Sequence, residues 1–230
     1  EIRTLGLKCV DRANLPLNLL SQLASLPHLR ELDLCHSNAC SALYDNNNNN
    51  DDDDDNDDDG SEYFLTNLQV LWLRCSSITD SGLLRVVHVC PILSDLDLGD
   101  CVEITENGLS NALCNMNTPL KRLVLDNENG KWELNSEGLG RVLRKHGDNM
   151  LALSVIHHSI VRQLRYLSRN LLRLNISGQP FVNFHDFRYR CSRLKSLRLD
   201  YCDWIKESDI LKYVVTWPSL RVLGMAGLYN

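Results

Sequence analysis

Nine cysteines and seven histidines are the side chains of this 230-residue sequence with the widest chemical reach. A thiolate beside an imidazole makes a nucleophile, and four such groups at short spacing hold zinc. His88 stands two residues before Cys90, and His157 and His158 are adjacent, so both chemistries come into question. The spacing argues against them. No C-x-x-C pair occurs, and the two most regular pairs, Cys90/Cys101 and Cys191/Cys202, are each eleven residues apart. Each pair brackets one L-x-x-L-x-L phrase, the first cysteine three residues before it and the second three residues after its last leucine. These thiols read as small buried groups where a strand turns away from a sheet, and His158 falls in the same slot as the second cysteine. No catalytic residue, metal site or cofactor is therefore expected. Phosphate loops, paired-carboxylate motifs and dinucleotide fingerprints are absent as well. The Asn175-Ile176-Ser177 sequon is read as chance, because its middle residue is a core position of a strand.

The elements that place these side chains repeat along the whole chain. In L-x-x-L-x-L the residues two apart point the same way, which describes a short strand with one buried face. Nine such phrases begin at Ile2, Leu29, Leu68, Leu93, Leu120, Met150, Leu171, Leu194 and Leu220, at spacings of 27, 39, 25, 27, 30, 21, 23 and 26. After the third phrase come Ile78, Thr79 and Asp80, where Thr79 and Asp80 can cap a helix whose apolar stripe is Leu83, Leu84, Val86 and Val87, and after the fourth the pattern recurs as Ile104, Thr105, Gly108 and Leu109. Helices are expected near 17–23, 82–89, 108–114, 137–145, 160–167 and 210–215. Pro27, Pro91 and Pro218 end the preceding helix just before a strand, since proline lacks an N–H and disfavours helix in the residue before it. One strand and one helix of this size cannot close a core alone, whereas stacked copies can. The expected fold is an α/β leucine-rich solenoid of about nine repeats forming one domain over residues 1–230.

The spacing of 39 contains the tract Asn46–Asp59, and removing its 14 residues restores a repeat of 25. A pure Asn/Asp run buries no apolar surface to offset its ordering entropy, so it is expected to be a disordered loop ejected from the second repeat. It also sets the charge. The chain carries −6, yet without the eight aspartates of the tract it carries +2, which gives no compositional support to a nucleic-acid surface. No apolar run approaches the ~18 residues that would span a membrane. Asn127–Glu133 and the aromatic stretch Phe181, Phe184, Phe187 and Tyr189 depart from the repeat and read as packing adjustments. The chain opens at Glu1 within a strand phrase and has only Ala226–Asn230 after the ninth, so a fragment of a longer protein, with an unprotected edge prone to self-association, is expected.

The phrase C-P-x-L-x-x-L-x-L-x-x-C-x-x-I-T, carried by Cys90, Pro91, Leu93, Leu96, Leu98, Cys101, Ile104 and Thr105, resembles the cysteine-containing class of leucine-rich repeats. That class is familiar from F-box/LRR proteins and from the antagonist-of-mitotic-exit-network family. The match is close in three repeats. Cys9 and Cys75 fall one place early, and Glu128, His158 and Gln179 stand where a cysteine would. The resemblance implies a horseshoe with parallel strands on the concave face and helices on the convex face. It implies a protein partner on the concave face, namely the substrate of an F-box-type (SCF) ubiquitin ligase receptor. Skp1 and cullin are implied only if an F-box lies upstream. A regulatory scaffold of the same repeat class without an F-box is the alternative, and a RanGAP-like GTPase activator the third, disfavoured because those repeats carry Asn where these carry Cys. The cysteine usage suits a cytoplasmic or nuclear protein.

In each phrase the third, fifth and seventh positions should face solvent on the concave sheet. The expected partner-binding residues are Trp72, Arg74, Asp95, Asp97, Arg122, Val124, Arg173, Asn175 and Arg198, on a face that is acidic early and more basic late. Trp72 leads, since an exposed tryptophan in mid-sheet has no core role and aromatic and arginine side chains dominate protein interfaces.

Overall fold

In the computed structural model the described residues are 1–11, 14, 19–43, 63–132, 134, 136–158, 163–179, 190–203, 205–206, 210, 212 and 214–227. The Asn/Asp tract and the aromatic stretch Phe181–Tyr189 lie outside them.

The nine phrases form nine three-residue strands: β1 (Thr4–Gly6), β2 (Glu31–Asp33), β3 (Val70–Trp72), β4 (Asp95–Asp97), β5 (Arg122–Val124), β6 (Ala152–Ser154), β7 (Arg173–Asn175), β8 (Ser196–Arg198) and β9 (Val222–Gly224). They lie in sequence order in one parallel sheet. The register aligns the middle leucines from Leu5 through Leu71, Leu123 and Leu174 to Leu223. From Leu32 to Leu197 this row is buried, and so are the apolar residues on either side of it in each central repeat. The core is thus a stack of apolar rungs, each sharing its faces with the repeats before and after. Leu223, in the last rung, is 36% exposed.

The strands are short because the chain turns out of the sheet at a fixed place. Two residues after the last core position of the phrase, Cys9, His36, Cys75, Asp100, His157 and Tyr201 adopt left-handed φ angles of 54° to 58°. Such a conformation costs an L-residue roughly 1–2 kcal/mol. The turned N–H extends the inter-repeat ladder by one more bond: Cys75 N donates to Gly99 O at 2.8 Å and Asp100 N to Asp126 O at 2.8 Å. This position explains the two early cysteines. Cys9 is exposed and Cys75 half-buried because they sit on the turn rather than in the buried slot that follows it.

On the opposite side of the core lie α1 (Leu19–Ala24), α2 (Asp80–Val89), α3 (Glu106–Asn115) and α4 (Ser136–His146). Thr79 and Thr105 cap α2 and α3, accepting from Gly82 N at 3.3 Å and Gly108 N at 3.1 Å. Asp80 is the first helical residue rather than a cap, and its carboxylate crosses to the next repeat. It accepts from Thr105 N at 2.7 Å and Thr105 Oγ1 at 2.6 Å. Glu106 repeats the move one repeat on, bonding Gly138 N. A side chain at Gly108 or Gly138 would collide with these carboxylates, so each crossing passes against a glycine. Of the helix expected over 160–167, the described part is a 3₁₀ turn, Gln163–Tyr166. The Asn127–Glu133 excursion brings Trp132 into the core, where its Nε1–H donates to Ile104 O at 2.8 Å.

Candidate functional site

The cysteine slot is a hydrogen-bonding position as well as a packing one. Its side chain reaches back to the carbonyl of the last core residue in the preceding repeat. Cys101 Sγ donates to Leu73 O at 3.0 Å, Cys202 Sγ to Ile176 O at 3.4 Å, and Gln179 Nε2 to Val155 O at 2.8 Å. His158 bonds the Leu125 backbone from the same slot. Three residue types thus satisfy one orphaned acceptor per repeat, which burial would otherwise make costly. Burial pushes the thiols of Cys90, Cys101 and Cys191 up to about 12, so they remain protonated at neutral pH. Burial likewise pushes the His158 imidazole down to about 4. His146 is held neutral too: burial lowers its pKa while Nδ1 accepts from Leu120 N and Nε2–H donates to Leu113 O. His88, by contrast, faces outward on α2, its ring 5.4 Å from that of Phe64, while Cys90 is buried. These groups are taken up in holding the solenoid together.

Register puts the expected partner-binding residues into two rows. One runs Glu31, Val70, Asp95, Arg122, Ala152, Arg173, Ser196; the other runs Asp33, Trp72, Asp97, Val124, Ser154, Asn175, Arg198. Arg74 follows β3 by two residues. The structure brings all nine onto one face but does not leave all nine open to solvent. Asp97 and Val124 are 7% and 5% exposed, where simple alternation expected solvent. Trp72 is half-buried between Asp33 and Asp97 rather than free-standing.

The early half of the face is occupied by its own charges. Arg74 lies across Gly99, where a Cβ would come within 2.6 Å of Cζ, and reaches two repeats onward. Its Nη2 is 2.9 Å from Asp126 Oδ2 and 3.5 Å from Asp97 Oδ1, and Nη1 is 3.3 Å from Glu128 Oε1. Burial lowers the Arg74 pKa, but the three carboxylates outweigh it and hold the guanidinium above its ordinary value. The Asp97 carboxyl is raised as well, in its case by burial, which outweighs the Gly99 N–H and Arg74. Asp126 also accepts from Ser154 Oγ at 2.6 Å. At the fifth place of the phrase, Asp33, Asp97 and Asn175 each accept an N–H from two residues on, at 3.1, 2.9 and 3.2 Å. They fasten the strand end, a job that leaves little of each oxygen for a ligand.

The late half is different. A groove of about 500 Å³ crosses β4 to β8, with Ala152, Ser154 and Ser196 on its floor and Arg122, Arg173 and Arg198 around it. Among the described residues none of these three guanidinium groups makes an ion pair. Arg173 and Arg198 are exposed and Arg122 half-buried. A second depression, about 440 Å³, lies on the helix side around Leu84, His88 and Met116.

No protein-family model matches the chain, and no curated protein does. Solved structures do match in shape. The fold is a leucine-rich repeat solenoid. Human 5T4 (Wnt-activated inhibitory factor 1, trophoblast glycoprotein) superposes with a TM-score of 0.58 at 17% identity, over 98% of this chain and 77% of that one. Internalin C2 from Listeria monocytogenes gives 0.55 at 16%, over 89% and 74%. The Listeria internalin inlF gives 0.51 at 17%, over 91% and 64%. At such identities the likeness concerns the solenoid alone. Among the described residues no helix is long and apolar enough to cross a membrane.

Proposed function

We propose that this solenoid is a protein-recognition module that holds its partner on the concave sheet. The observation that carries the reading is the groove over β4–β8, where three arginines and Asp95 surround a floor of small side chains and, among the described residues, none of the three arginines is held in an ion pair. Charged groups kept without partners on a rigid sheet are pre-organised for a ligand, and arginine is among the side chains that carry most binding energy at interfaces. The finer reading is substrate recognition for an F-box-type ubiquitin ligase. It rests on the cysteine-containing repeat phrase of residues 90–105, and a non-ligase scaffold of the same repeat class is its alternative.

The test is affinity purification of the full natural chain from its own cells. Three forms are compared: wild type, Ala152→Arg on the groove floor, and Asn111→Arg on the exposed side of α3. The reading expects stoichiometric partners that Ala152→Arg loses and Asn111→Arg keeps. Equal retention by both variants would overturn concave recognition. Skp1 and cullin among the partners would support the ligase reading, and their absence the scaffold.

A further inference from the structure

We infer that the late half of the concave face binds an acidic polypeptide segment, its Asp and Glu carboxylates taken by Arg122, Arg173 and Arg198. This rests on the concave face being the recognition surface and names the chemistry of what it recognises. Outside the Asn/Asp tract the chain carries only +2, so three arginines gathered on one groove are a local concentration of charge. The nearby carboxylates are already engaged: Asp126 by Arg74 and Ser154, and Asp200 by Ala226 N at 2.7 Å. Asp95 stands opposite Arg122 in the register and takes the Ser94 hydroxyl at 2.8 Å. Among the described residues none of the three guanidinium groups is within ion-pair distance of a carboxylate, and a carboxylate matches the arginine fork in a two-bonded geometry.

The spacing suits an extended chain running across the strands. Arg122 and Arg173 share a row two strands apart, about 10 Å at the usual strand separation, and Arg198 lies one strand further in the adjacent row. Alternate side chains of an extended peptide are spaced by roughly 7 Å. Acids two or three residues apart therefore reach successive arginines with small side-chain adjustments. The small floor of the groove lets the peptide backbone come close. The island is also short. Asp95 bounds it at β4, and beyond lies the Arg74 cluster, in which three carboxylates face one guanidinium. A long polyanion such as a nucleic acid would be driven onto that negative half, whereas a short acidic segment would not.

The experiment is selection from a random dodecapeptide display library against two folded baits. These are the wild-type chain and the Arg122→Ser/Arg173→Ser/Arg198→Ser variant, its fold checked by circular dichroism. Selected peptides are then measured by fluorescence anisotropy against wild type, the triple variant and Ala152→Arg, at 50 and 500 mM salt. The inference expects wild type to enrich peptides with several Asp or Glu. Their affinity should fall about tenfold or more in the triple variant, and also at high salt. Enrichment of non-acidic peptides whose binding is lost in Ala152→Arg would overturn the acidic chemistry and leave concave recognition standing. Peptides indifferent to both variants would overturn both readings. Tighter binding of a labelled dT12 oligonucleotide than of any selected peptide would overturn the choice of a polypeptide.

Discussion

Replacing Arg74 by methionine keeps most of the aliphatic stem while removing the charge, and it isolates what the guanidinium does for the early half of the sheet. In the native fold the side chains of Asp97 and Asp126 are 10% and 8% exposed, and Arg74 is the cation nearest to both. Removing one partner of a buried ion pair costs about 3–5 kcal/mol, because a charge is left buried without compensation. Three features reduce that figure here. The Arg74 side chain is 22% exposed, Asp97 keeps Gly99 N–H, and Asp126 keeps Ser154 Oγ–H. The expected loss is therefore roughly 2–4 kcal/mol at pH 7. Its pH dependence has a definite sign. The Asp97 carboxyl is already raised by burial, and losing Arg74 raises it further. A group whose folded pKa lies above its unfolded value regains stability as pH falls through the folded value. The gap between wild type and variant should thus narrow between pH 7 and about pH 4. Urea denaturation across that range measures it, and adding Asp97→Asn should recover part of the loss. A variant within about 0.5 kcal/mol of wild type at pH 7, or a gap that widens on acidification, would refute the reasoning.

The buried imidazoles make a second pH prediction. His158 at about 4 and His146 shifted in the same direction contribute stability that is complete above the unfolded value near 6.5 and lost as pH falls toward the folded values. For His158 the loss approaches about 3 kcal/mol, and His158→Gln, which places at 158 the residue type that fills this slot at Gln179, should flatten the acid limb of a stability profile. Native titration with a thiol reagent should label exposed Cys9 first and leave Cys90, Cys101 and Cys191 untouched until denaturant is added; rapid labelling of all nine would contradict the burial pattern. Gly108→Ala should lower the melting stability by about 1–2 kcal/mol, because its methyl displaces the Asp80 carboxylate from Thr105. In an Asp80→Ala background the same change should be neutral or favourable, as Gly→Ala usually is within a helix.

Much of this architecture is readable from the chain because the leucine phrase repeats and each copy needs its neighbours. The strand positions, the sheet order and the buried fate of Cys101, Cys202 and His158 all follow from counting residues from Leu98, Leu199 and Val155. Side-chain reach on the concave face follows less readily. Alternation places Asp97 and Val124 toward solvent, but parallel strands of three residues crowd their outward side chains, and Arg74 spans two repeats to cover them. A signal for that span exists. Gly99 is the one glycine among the nine residues directly following a phrase, and it is the residue Arg74 crosses. Trp132 was hidden for another reason: the excursion carrying it has no counterpart in the other repeats, so periodicity is silent about which of its residues turns inward. The left-handed turn is likewise invisible to a hydrophobic count, since Cys, His, Asp and Tyr all occupy it.

Arginine footprinting of the chain bound to its purified partner distinguishes concave from convex binding. With phenylglyoxal and mass spectrometry, partner binding should protect Arg173 and Arg198 on the sheet. Arg141 and Arg165, exposed on the helix side, should react equally with and without the partner. Protection of Arg141 or Arg165 with Arg173 and Arg198 still reactive would place the partner on the convex side and contradict recognition by the concave face.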